Sequence, residues 1–375
     1  MNSMLAVGLM SGTSMDGVDA ALIETDGDGI VRPLGFVSTS YGQADRDVLR
    51  AAAARALAMA APGDDPLIAE AGVLVDLRHT EAVDALLRQT GLHPSAVGVI
   101  GYHGQTVAHR PDRGWTWQVG DGQVLADAFG VPVVDDFRSA DVQGGGQGAP
   151  LVPVYHAARL ADAPEAVMVL NLGGVGNVTF IGAAGKLLAF DTGPGNALID
   201  DWVREQLGLN CDEGGRIAAG GHVDEQRLAQ MLAHSWFDEP PPKSLDRNNF
   251  PAGAVRGLSP ADGAATLTAF TAATVARAIA HCPSPPRMIH VAGGGRHNPT
   301  LMAMLAERTG AAIHSVDDLG WNGDATEAEA FAYLAVRHLA GKPTSFPETT
   351  GVHAPVIGGR LSRPRQNQQR GTART

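Results

Sequence analysis

The chain has 375 residues, 44% of them hydrophobic and 18% charged, and at roughly 150 residues per domain this length predicts two or three globular domains. Its 28 basic and 40 acidic residues give a net charge of −12, which argues against a binding platform for nucleic acid or for an anionic membrane. The chain has neither a long apolar run nor a basic N-terminal signal, and its two cysteines, Cys211 and Cys282, lie far apart, so we expect a soluble cytoplasmic protein without a disulfide framework or a zinc site.

The first half of the chain predicts an α/β domain over residues 1–150. A turn-rich segment, residues 11–17, separates two short apolar strands. The helices that follow are expected at about 45–60 and 66–89, and a buried strand at 96–101. The glycine-heavy segment 141–148 is typical of a hinge or an active-site loop, and we place the domain boundary there.

The second half, residues 151–345, opens as the first half does, with a strand, a glycine turn and a second strand. We read this as a weak internal repeat. The helices predicted after it are 196–207, 224–233, 262–280, 299–308 and 327–339, and a buried strand is predicted at 287–292. Residues 346–375 end in an arginine-rich, acid-free segment, which predicts a disordered basic tail.

Lysine usage excludes two common nucleotide sites. The only lysines are Lys186, Lys243 and Lys342. A P-loop needs a lysine directly after its glycines, and a protein kinase needs one on an early strand. Any nucleotide would therefore be held mainly by backbone amides, hydroxyl groups and a metal ion.

Two glycine turns are candidate phosphate-binding elements. In the first, Thr13 and Ser14 supply hydroxyl donors, and Asp16 could orient Mg²⁺ or its waters. The second contains Gly173 and Gly174 in the corresponding position of the second half. The alternative for each is an ordinary polar hairpin turn.

A third glycine segment, Gly293, Gly294 and Gly295, follows a predicted buried strand and precedes a helix start at Asn298-Pro299. Three glycines allow a flat ring to lie against the backbone, and a helix N-terminus favours negative charge. Glycine turns before helices are also common for purely structural reasons.

Asp191 is the candidate general base. It lies at a strand end before the rigid sequence Gly193-Pro194-Gly195, which would hold its carboxylate in a fixed position for proton transfer. The alternative is that Asp191 only caps this turn.

Several further polar residues are candidates for substrate contact. His103, Thr106 and Arg138 follow strand ends or adjoin the glycine-heavy segment, whereas Asp324 and Glu327 open the last predicted helix, where acids ordinarily offset the helix dipole. A structural role is the alternative for each.

These segments, in this order, resemble the actin/Hsp70/sugar-kinase ATPase superfamily, and within it the bacterial anhydro-N-acetylmuramic acid kinases. The resemblance rests on the segments Gly8–Asp19, Gly101–Thr106, Asp136–Arg138, Gln147–Pro153, Asn171–Gly174, Asp191–Asn196, Gly293–Gly295 and Glu327–Ala332. It covers residues 4–340 and implies two ribonuclease H-like α/β domains around a central interdomain cleft.

The resemblance also implies an activity. Such kinases convert 1,6-anhydro-N-acetylmuramic acid, water and ATP into N-acetylmuramic acid 6-phosphate during peptidoglycan recycling, with Mg²⁺ as cofactor. Asp191 matches the family's catalytic aspartate, and the matching ATP-binding segment comprises Gly12, Thr13, Ser14, Met15, Asp16, Gly17, Val18 and Asp19. The implied partner is a small amino sugar, and the oligomeric state stays open, a homodimer being one alternative.

The sequence departs from the family pattern after Lys243-Ser244, where Leu245-Asp246 replaces a Thr-Gly pair. We expect this change to affect substrate selectivity if the loop touches substrate, and to leave the base and the nucleotide site unaffected. Two other functions remain alternatives: a kinase for an amino sugar without the anhydro bridge, and a nucleotide-switched protein of the actin or Hsp70 kind.

Overall fold

Two β-sheets in two separate units organise the computed structural model, which describes residues 2–163, 165–245, 250 and 252–365. The strands are β1 (Met4–Ser11), β2 (Gly17–Thr25), β3 (Val31–Ser40), β4 (Val99–Arg110), β5 (Trp115–Val119), β6 (Val133–Asp135), β7 (Val167–Leu172), β8 (Val175–Ile181), β9 (Leu187–Pro194), β10 (Met288–Ala292), β11 (Ala312–Ser315) and β12 (Arg360–Ser362). The helices are α1 (Gln43–Leu57), α2 (Pro66–Thr90), α3 (Gly122–Phe129), α4 (Ser139–Gln143), α5 (Pro153–Arg159), α6 (Ala197–Leu207), α7 (Arg216–Ala219), α8 (Glu225–Leu232), α9 (Pro260–Ile279), α10 (Pro299–Thr309), α11 (Thr326–Leu339) and α12 (Pro347–Thr350).

Five strands of the first, seven-stranded sheet have the same topology as the five strands of the second. In the first, β1, β2 and β3 form an antiparallel meander, β4 pairs parallel to β1, and β6 pairs parallel to β4. In the second, β7, β8 and β9 form the meander, and β10 and β11 add in parallel. This is the ribonuclease H-like order, so the predicted α/β fold with two ribonuclease H-like domains is confirmed.

The first unit is built from separated parts of the chain. Unit 1 comprises Met1–Arg159, Ala325–Pro347 and Val352–Thr375, and unit 2 comprises Leu160–Asp324 and Glu348–Gly351. The structure thus differs from the predicted scheme, which divided the chain at 150 and placed the last helix in a C-terminal domain, 151–345.

Close packing explains why α11 belongs to unit 1. A Cβ atom at Gly8 on β1 would lie 1.8 Å from the carbonyl oxygen of Ala328, and one at Gly101 on β4 would lie 2.0 Å from that of Phe331. Only glycine permits so close an approach of a helix backbone to a sheet. The two glycines therefore seat α11 directly on β1 and β4.

The predicted disordered tail is wrong for residues 346–365. β12 pairs antiparallel with β6, and the Arg360 guanidinium donates through Nε and Nη2 to the two carboxylate oxygens of Asp135, both at 3.0 Å. Leu361 also packs on the core of unit 1. These contacts give the segment the apolar and ionic partners that its composition did not reveal, and residues 366–375 lie outside the described residues.

The longest helix of unit 2 has clear sequence signals at its start. Ser259 caps α9 by accepting a hydrogen bond from the amide of Asp262 at 3.1 Å, and Pro260 occupies the first helical position. The helix is rich in buried alanine and threonine, and it packs against α6, α10 and β9. Neither α9 nor any other described helix has the length and apolar character that a bilayer crossing requires.

Candidate active site

The β1–β2 turn presents exposed polar groups on a fixed backbone. Met15 adopts a left-handed conformation with φ of 57°, and its amide donates to the carbonyl of Gly12 at 3.1 Å. The Met15 side chain is buried, whereas Thr13, Ser14 and Asp16 are exposed. Burial of Met15 holds a conformation that few non-glycine residues adopt, and it leaves the predicted phosphate-binding side chains on the surface of unit 1.

A buried polar cluster supports this turn from below. The Gln105 amide nitrogen donates to the carbonyl of Gly12 at 3.0 Å, and its oxygen accepts from the Ser11 hydroxyl, which lies 2.9 Å from the Tyr41 hydroxyl. Gln105 is fully buried. Sequence reasoning missed the role of this glutamine, although it stands between the two candidates His103 and Thr106.

Arg138 contacts the predicted substrate residue His103 and two further groups of unit 1. Its Nε donates to His103 Nε2 at 3.0 Å, and its Nη1 donates to the carbonyl of Gly148 at 2.7 Å. Its guanidinium carbon lies 6.0 Å from the Phe331 ring centroid, a distance at which a cation–π interaction stabilises the pair.

His103 is neutral, and both of its ring nitrogens are hydrogen-bonded. Because Nε2 accepts from Arg138, the proton resides on Nδ1, which donates to the carbonyl of Gly104 at 2.7 Å. Burial, reinforced by the nearby positive charge of Arg138, holds the pKa of His103 well below its usual range. These bonds favour the interpretation that His103 acts by orienting Arg138.

Glu327 and Asp19 complete this group of charges. Burial raises the pKa of Glu327 although part of its surface is open to solvent; Arg138 opposes the shift, and the negative charge of Asp19 adds to it. The structure thus places a carboxylate at the start of α11 within the field of Arg138. Such an arrangement can orient a sugar hydroxyl.

Two neighbouring residues have structural partners. Thr106 accepts a hydrogen bond from the Gln118 side chain at 3.2 Å across the β4–β5 pair. Asp141 is completely buried and accepts from the amide of Gly148 at 2.6 Å. Asp141 therefore holds the glycine-heavy loop, and Thr106 is partly exposed on a regular strand.

In unit 2, the β7–β8 turn and the loop after β9 meet at one edge of the sheet. The amide of Asn196 donates to the carbonyl of Gly173 at 2.8 Å, and the amide of Gly195 donates to that of Gly174 at 2.9 Å. The positions of Cβ atoms at Gly173 and Gly174 lie no closer than 3.8 and 3.7 Å to neighbouring atoms. This edge leaves room for a ligand at both glycines.

The three glycines after β10 have different roles. A Cβ atom at Gly293 would lie 2.5 Å from Asn171 Oδ1, and one at Gly295 would lie 2.5 Å from Leu172 Cβ. These two glycines are therefore required by packing against the end of β7. Gly294 has its nearest neighbour at 3.9 Å, the side-chain nitrogen of Asn196, and only it leaves space for a ligand.

Asp191 lies on β9, at the outer edge of the second sheet. Its Oδ2 accepts a hydrogen bond from the amide of Leu245 at 2.7 Å, and no other donor to this carboxylate occurs among the described residues. Burial raises the pKa of Asp191 to about 7, and the Leu245 amide opposes this rise. A carboxylate with such a pKa can accept a proton near neutral pH.

The departure from the family pattern touches this carboxylate. Leu245 belongs to the replaced pair, and its amide is the group that contacts Asp191. Because every residue except proline carries this amide, the contact does not depend on the side chain that changed. The expectation that the departure leaves the base unaffected therefore stays a prediction. Asp246 and Arg247 lie outside the described residues.

Asp324 and Glu327 belong to different units. Asp324 accepts from Arg296 Nη2 at 3.0 Å, and the same guanidinium donates to Asp317 at 3.1 Å and to the carbonyl of Gly293 at 3.0 Å. Asp324 thus helps to hold Arg296 beside the glycine loop. Sequence reasoning missed Arg296, which directly follows the three glycines.

The carboxylates of the site suit a metal ion that is held mainly by phosphate groups and water. In the part of the chain that the structure describes, no three histidine, cysteine or acidic residues cluster as a metal site. Mg²⁺ at phosphates is usually held by one or two carboxylates, by waters and by the phosphates themselves. The exposed Asp16, which accepts a hydrogen bond from Ser14, fits that pattern.

Comparison with known proteins gives matches over nearly the whole chain. The family model for anhydro-N-acetylmuramic acid kinase matches residues 4–363. A Rhizorhabdus wittichii protein named anhydro-N-acetylmuramic acid kinase is 59% identical over 365 residues, 97% of this chain and 100% of its own. A Zymomonas mobilis protein of the same name is 54% identical over 362 residues, 96% of this chain and 99% of its own. Among solved structures, component A of (R)-2-hydroxyglutaryl-CoA dehydratase from Acidaminococcus fermentans aligns with 90% of this chain and 99% of its own at 11% identity and a TM-score of 0.47.

Proposed function

The chain belongs to the anhydro-N-acetylmuramic acid kinase family, and on that premise we propose that it uses ATP and water to convert 1,6-anhydro-N-acetylmuramic acid into N-acetylmuramic acid 6-phosphate. The observation that carries the proposal is Asp191: a partly buried carboxylate with one oxygen fixed by a backbone amide and a pKa of about 7. The reaction needs one base, and this residue has the properties of one.

Asp191 accepts a proton from a water molecule, whose oxygen forms a bond to C1 of the sugar. The C1–O6 bond breaks, and its electron pair stays on O6. This oxygen then bonds to the γ-phosphorus of ATP, and ADP leaves with the electrons of the cleaved P–O bond. One proton transfer to Asp191 thus serves both bond changes.

The β1–β2 turn of unit 1 is suited to the phosphates of ATP. Thr13 and Ser14 can donate hydroxyl hydrogen bonds, and the exposed Asp16 would help to hold Mg²⁺. When bound, Mg²⁺ supplies positive charge that offsets the negative charge developing on the phosphate oxygens. The role of the chain is to fix the donors in advance, which Met15 and Gln105 do from beneath the turn.

In unit 2, the open positions at Gly173, Gly174 and Gly294 support a nucleotide-binding role. Their missing side chains allow a ligand to approach the backbone closely. For the sugar, Arg138 and Glu327 are the residues with the most suitable charge. His103 contributes by orienting Arg138, and direct sugar contacts by Thr106 and Asp324 stay predictions.

The direct test supplies ATP, Mg²⁺ and one of three sugars: anhydro-N-acetylmuramic acid, N-acetylmuramic acid or N-acetylglucosamine. Mass spectrometry of the product is expected to detect a 6-phosphate from the anhydro sugar. In ¹⁸O-labelled water the label is expected at C1. Phosphorylation of the open sugars alone would instead support the amino-sugar kinase without coupled hydrolysis, and turnover with no label at C1 would remove water from the reaction.

The reaction consumes ATP, which is a cytoplasmic metabolite, so we place the activity in the cytoplasm. The proposed substrate is a small molecule, and the chemistry requires neither a nucleic acid nor a membrane. The homodimer stays a prediction, which sedimentation velocity of the full chain can test.

A further inference from the structure

The loop that carries the family departure pairs with the free edge of β9. The amide of Asp191 donates to the carbonyl of Lys243 at 2.9 Å, and the amide of Leu245 donates back to Asp191 Oδ2 at 2.7 Å. β9 is the outer strand of its sheet, and its other neighbour is β8. Residues 243–245 therefore lie beside the base as a short additional strand would.

The Lys243 side chain ties this loop to the core of unit 2. Its ammonium group donates to the carbonyls of Trp236 and Phe237, both at 3.0 Å, and lies 4.4 Å from the Trp236 ring centroid. Trp236 and Phe237 are buried among the aromatic residues of that core. Two charge-assisted hydrogen bonds and a cation–π contact thus fix the loop to the core.

We propose that Lys243 and the backbone amide of Leu245 are positioning residues for Asp191: the lysine holds the loop, and the amide holds Oδ2, so that Oδ1 meets the attacking water in one orientation. This inference rests on the proposed function, since it takes Asp191 as the base. It extends that function to the loop in which the departure from the family pattern begins, at Leu245.

The surroundings of Asp191 make the effect of the Leu245 amide on the pKa of Asp191 measurable. Opposite Asp191 on β8 lies the uncharged Asn177, and α9 packs on β9 with Thr274 against Gly193. Lys243 is the one charged residue of the segment 241–245, and it is directed to carbonyls of the core. Burial and the single amide bond are the causes of the shifted pKa of Asp191, with no charged side chain contributing among the described residues.

Proline at position 245 tests the amide directly, because proline has no N–H group. Without the bond the pKa of Asp191 is expected to rise, since a backbone donor favours the ionised carboxylate. In the Leu245→Pro variant the acid limb of the pH profile of kcat should shift to higher pH by about 1 unit, with the KM for ATP unchanged. Leu245→Ala, which keeps the amide, is the matched control and should retain the wild-type limb.

Lys243→Met removes the anchor and keeps most of the side-chain length, whereas Lys243→Arg keeps the charge, the donors and the contact with Trp236. The Lys243→Met variant is expected to shift the acid limb of the pH profile of kcat to higher pH as well. The Lys243→Arg variant is expected to keep the wild-type limb. A loop that served only to stabilise the fold would lower the melting temperature in Lys243→Met and leave the limb in place.

The carboxyl titration of Asp191 can also be followed without turnover, by NMR of protein labelled with ¹³C-aspartate and assigned with Asp191→Asn. A higher pKa in Leu245→Pro and Lys243→Met than in their controls supports the proposal. Titrations that coincide within each pair overturn it, even if the wild-type enzyme is active. An inactive wild-type enzyme with shifted titrations would instead refute the proposed function and leave the positioning role intact.

Discussion

The ionised carboxylate of Asp191 is expected to lower the free energy of unfolding by an amount that grows with the shift of its pKa. Burial raises this pKa from the ordinary value of 3.8 to about 7. Between these two values the folded chain binds the proton that the unfolded chain has lost, so stability falls as the pH rises, and the loss is complete above about pH 7. At about 1.4 kcal/mol per pH unit, the full loss is at most about 4 kcal/mol, and partial access of solvent reduces it.

Asp191→Asn removes this cost together with the base. We expect the variant to be more stable than the wild type at pH 8, by about 2 to 4 kcal/mol, and equally stable near pH 4. Turnover is expected to fall by several orders of magnitude, with ATP binding retained. Urea denaturation of both proteins from pH 4 to 8, with turnover and nucleotide binding measured beside it, provides the assay.

The pH dependence is the decisive part of the result. A difference in unfolding free energy that stays constant from pH 4 to 8 would mean that Asp191 titrates normally in the folded protein. A variant with near-normal turnover would mean that another residue is the base.

Three further substitutions test the supports of the site. Gln105→Leu removes one of the two donors to the carbonyl of Gly12 and leaves the Met15 amide, and we expect the KM for ATP to rise about tenfold; an unchanged KM would contradict a role in shaping the turn. Arg138→Lys is expected to raise the KM for the sugar about tenfold, because one ammonium group cannot span the imidazole and the carbonyl that the guanidinium bridges; equal KM values for both proteins would contradict this. Arg360→Met removes the two guanidinium donors to Asp135 and leaves the amide of Gly122; it is expected to destabilise unit 1 by about 1 kcal/mol, seen as a lower melting temperature, whereas the melting temperature of Arg360→Lys, which keeps one side-chain donor, should lie between those of the wild type and Arg360→Met.

Much of the helical framework could be predicted from the sequence, because its signals are local. α2 begins with an aspartate cap and a proline, α10 begins with Asn298-Pro299, and both end at a glycine with positive φ. The strand β3 was missed, since all of its residues are exposed or only partly buried and give no apolar alternation. β12 was missed because its partner, β6, lies more than 200 residues earlier in the chain.

The sequence indicates candidate residues where side chains near a turn or a strand end can do the chemistry, as for Asp16, Asp191 and Arg138, whose roles stay predictions. Backbone contacts could not be predicted: the amide of Leu245, in a loop more than 50 residues away in sequence, contacts the proposed base Asp191. The glycines of the third segment illustrate a second limit. Composition does not distinguish a glycine required by close packing, such as Gly293, from one that leaves space for a ligand, such as Gly294.

The interrupted path of the chain through unit 1 has a consequence during synthesis on the ribosome. Residues up to Arg159 emerge first, but α11, which covers β1 and β4, follows only after all of unit 2, and β12 later still. Until then the apolar face of the first sheet lacks its covering helix and is exposed to aggregation or to chaperones. Unit 2 has nearly all its residues in one continuous stretch, so the second-made unit is expected to acquire protease resistance before the first.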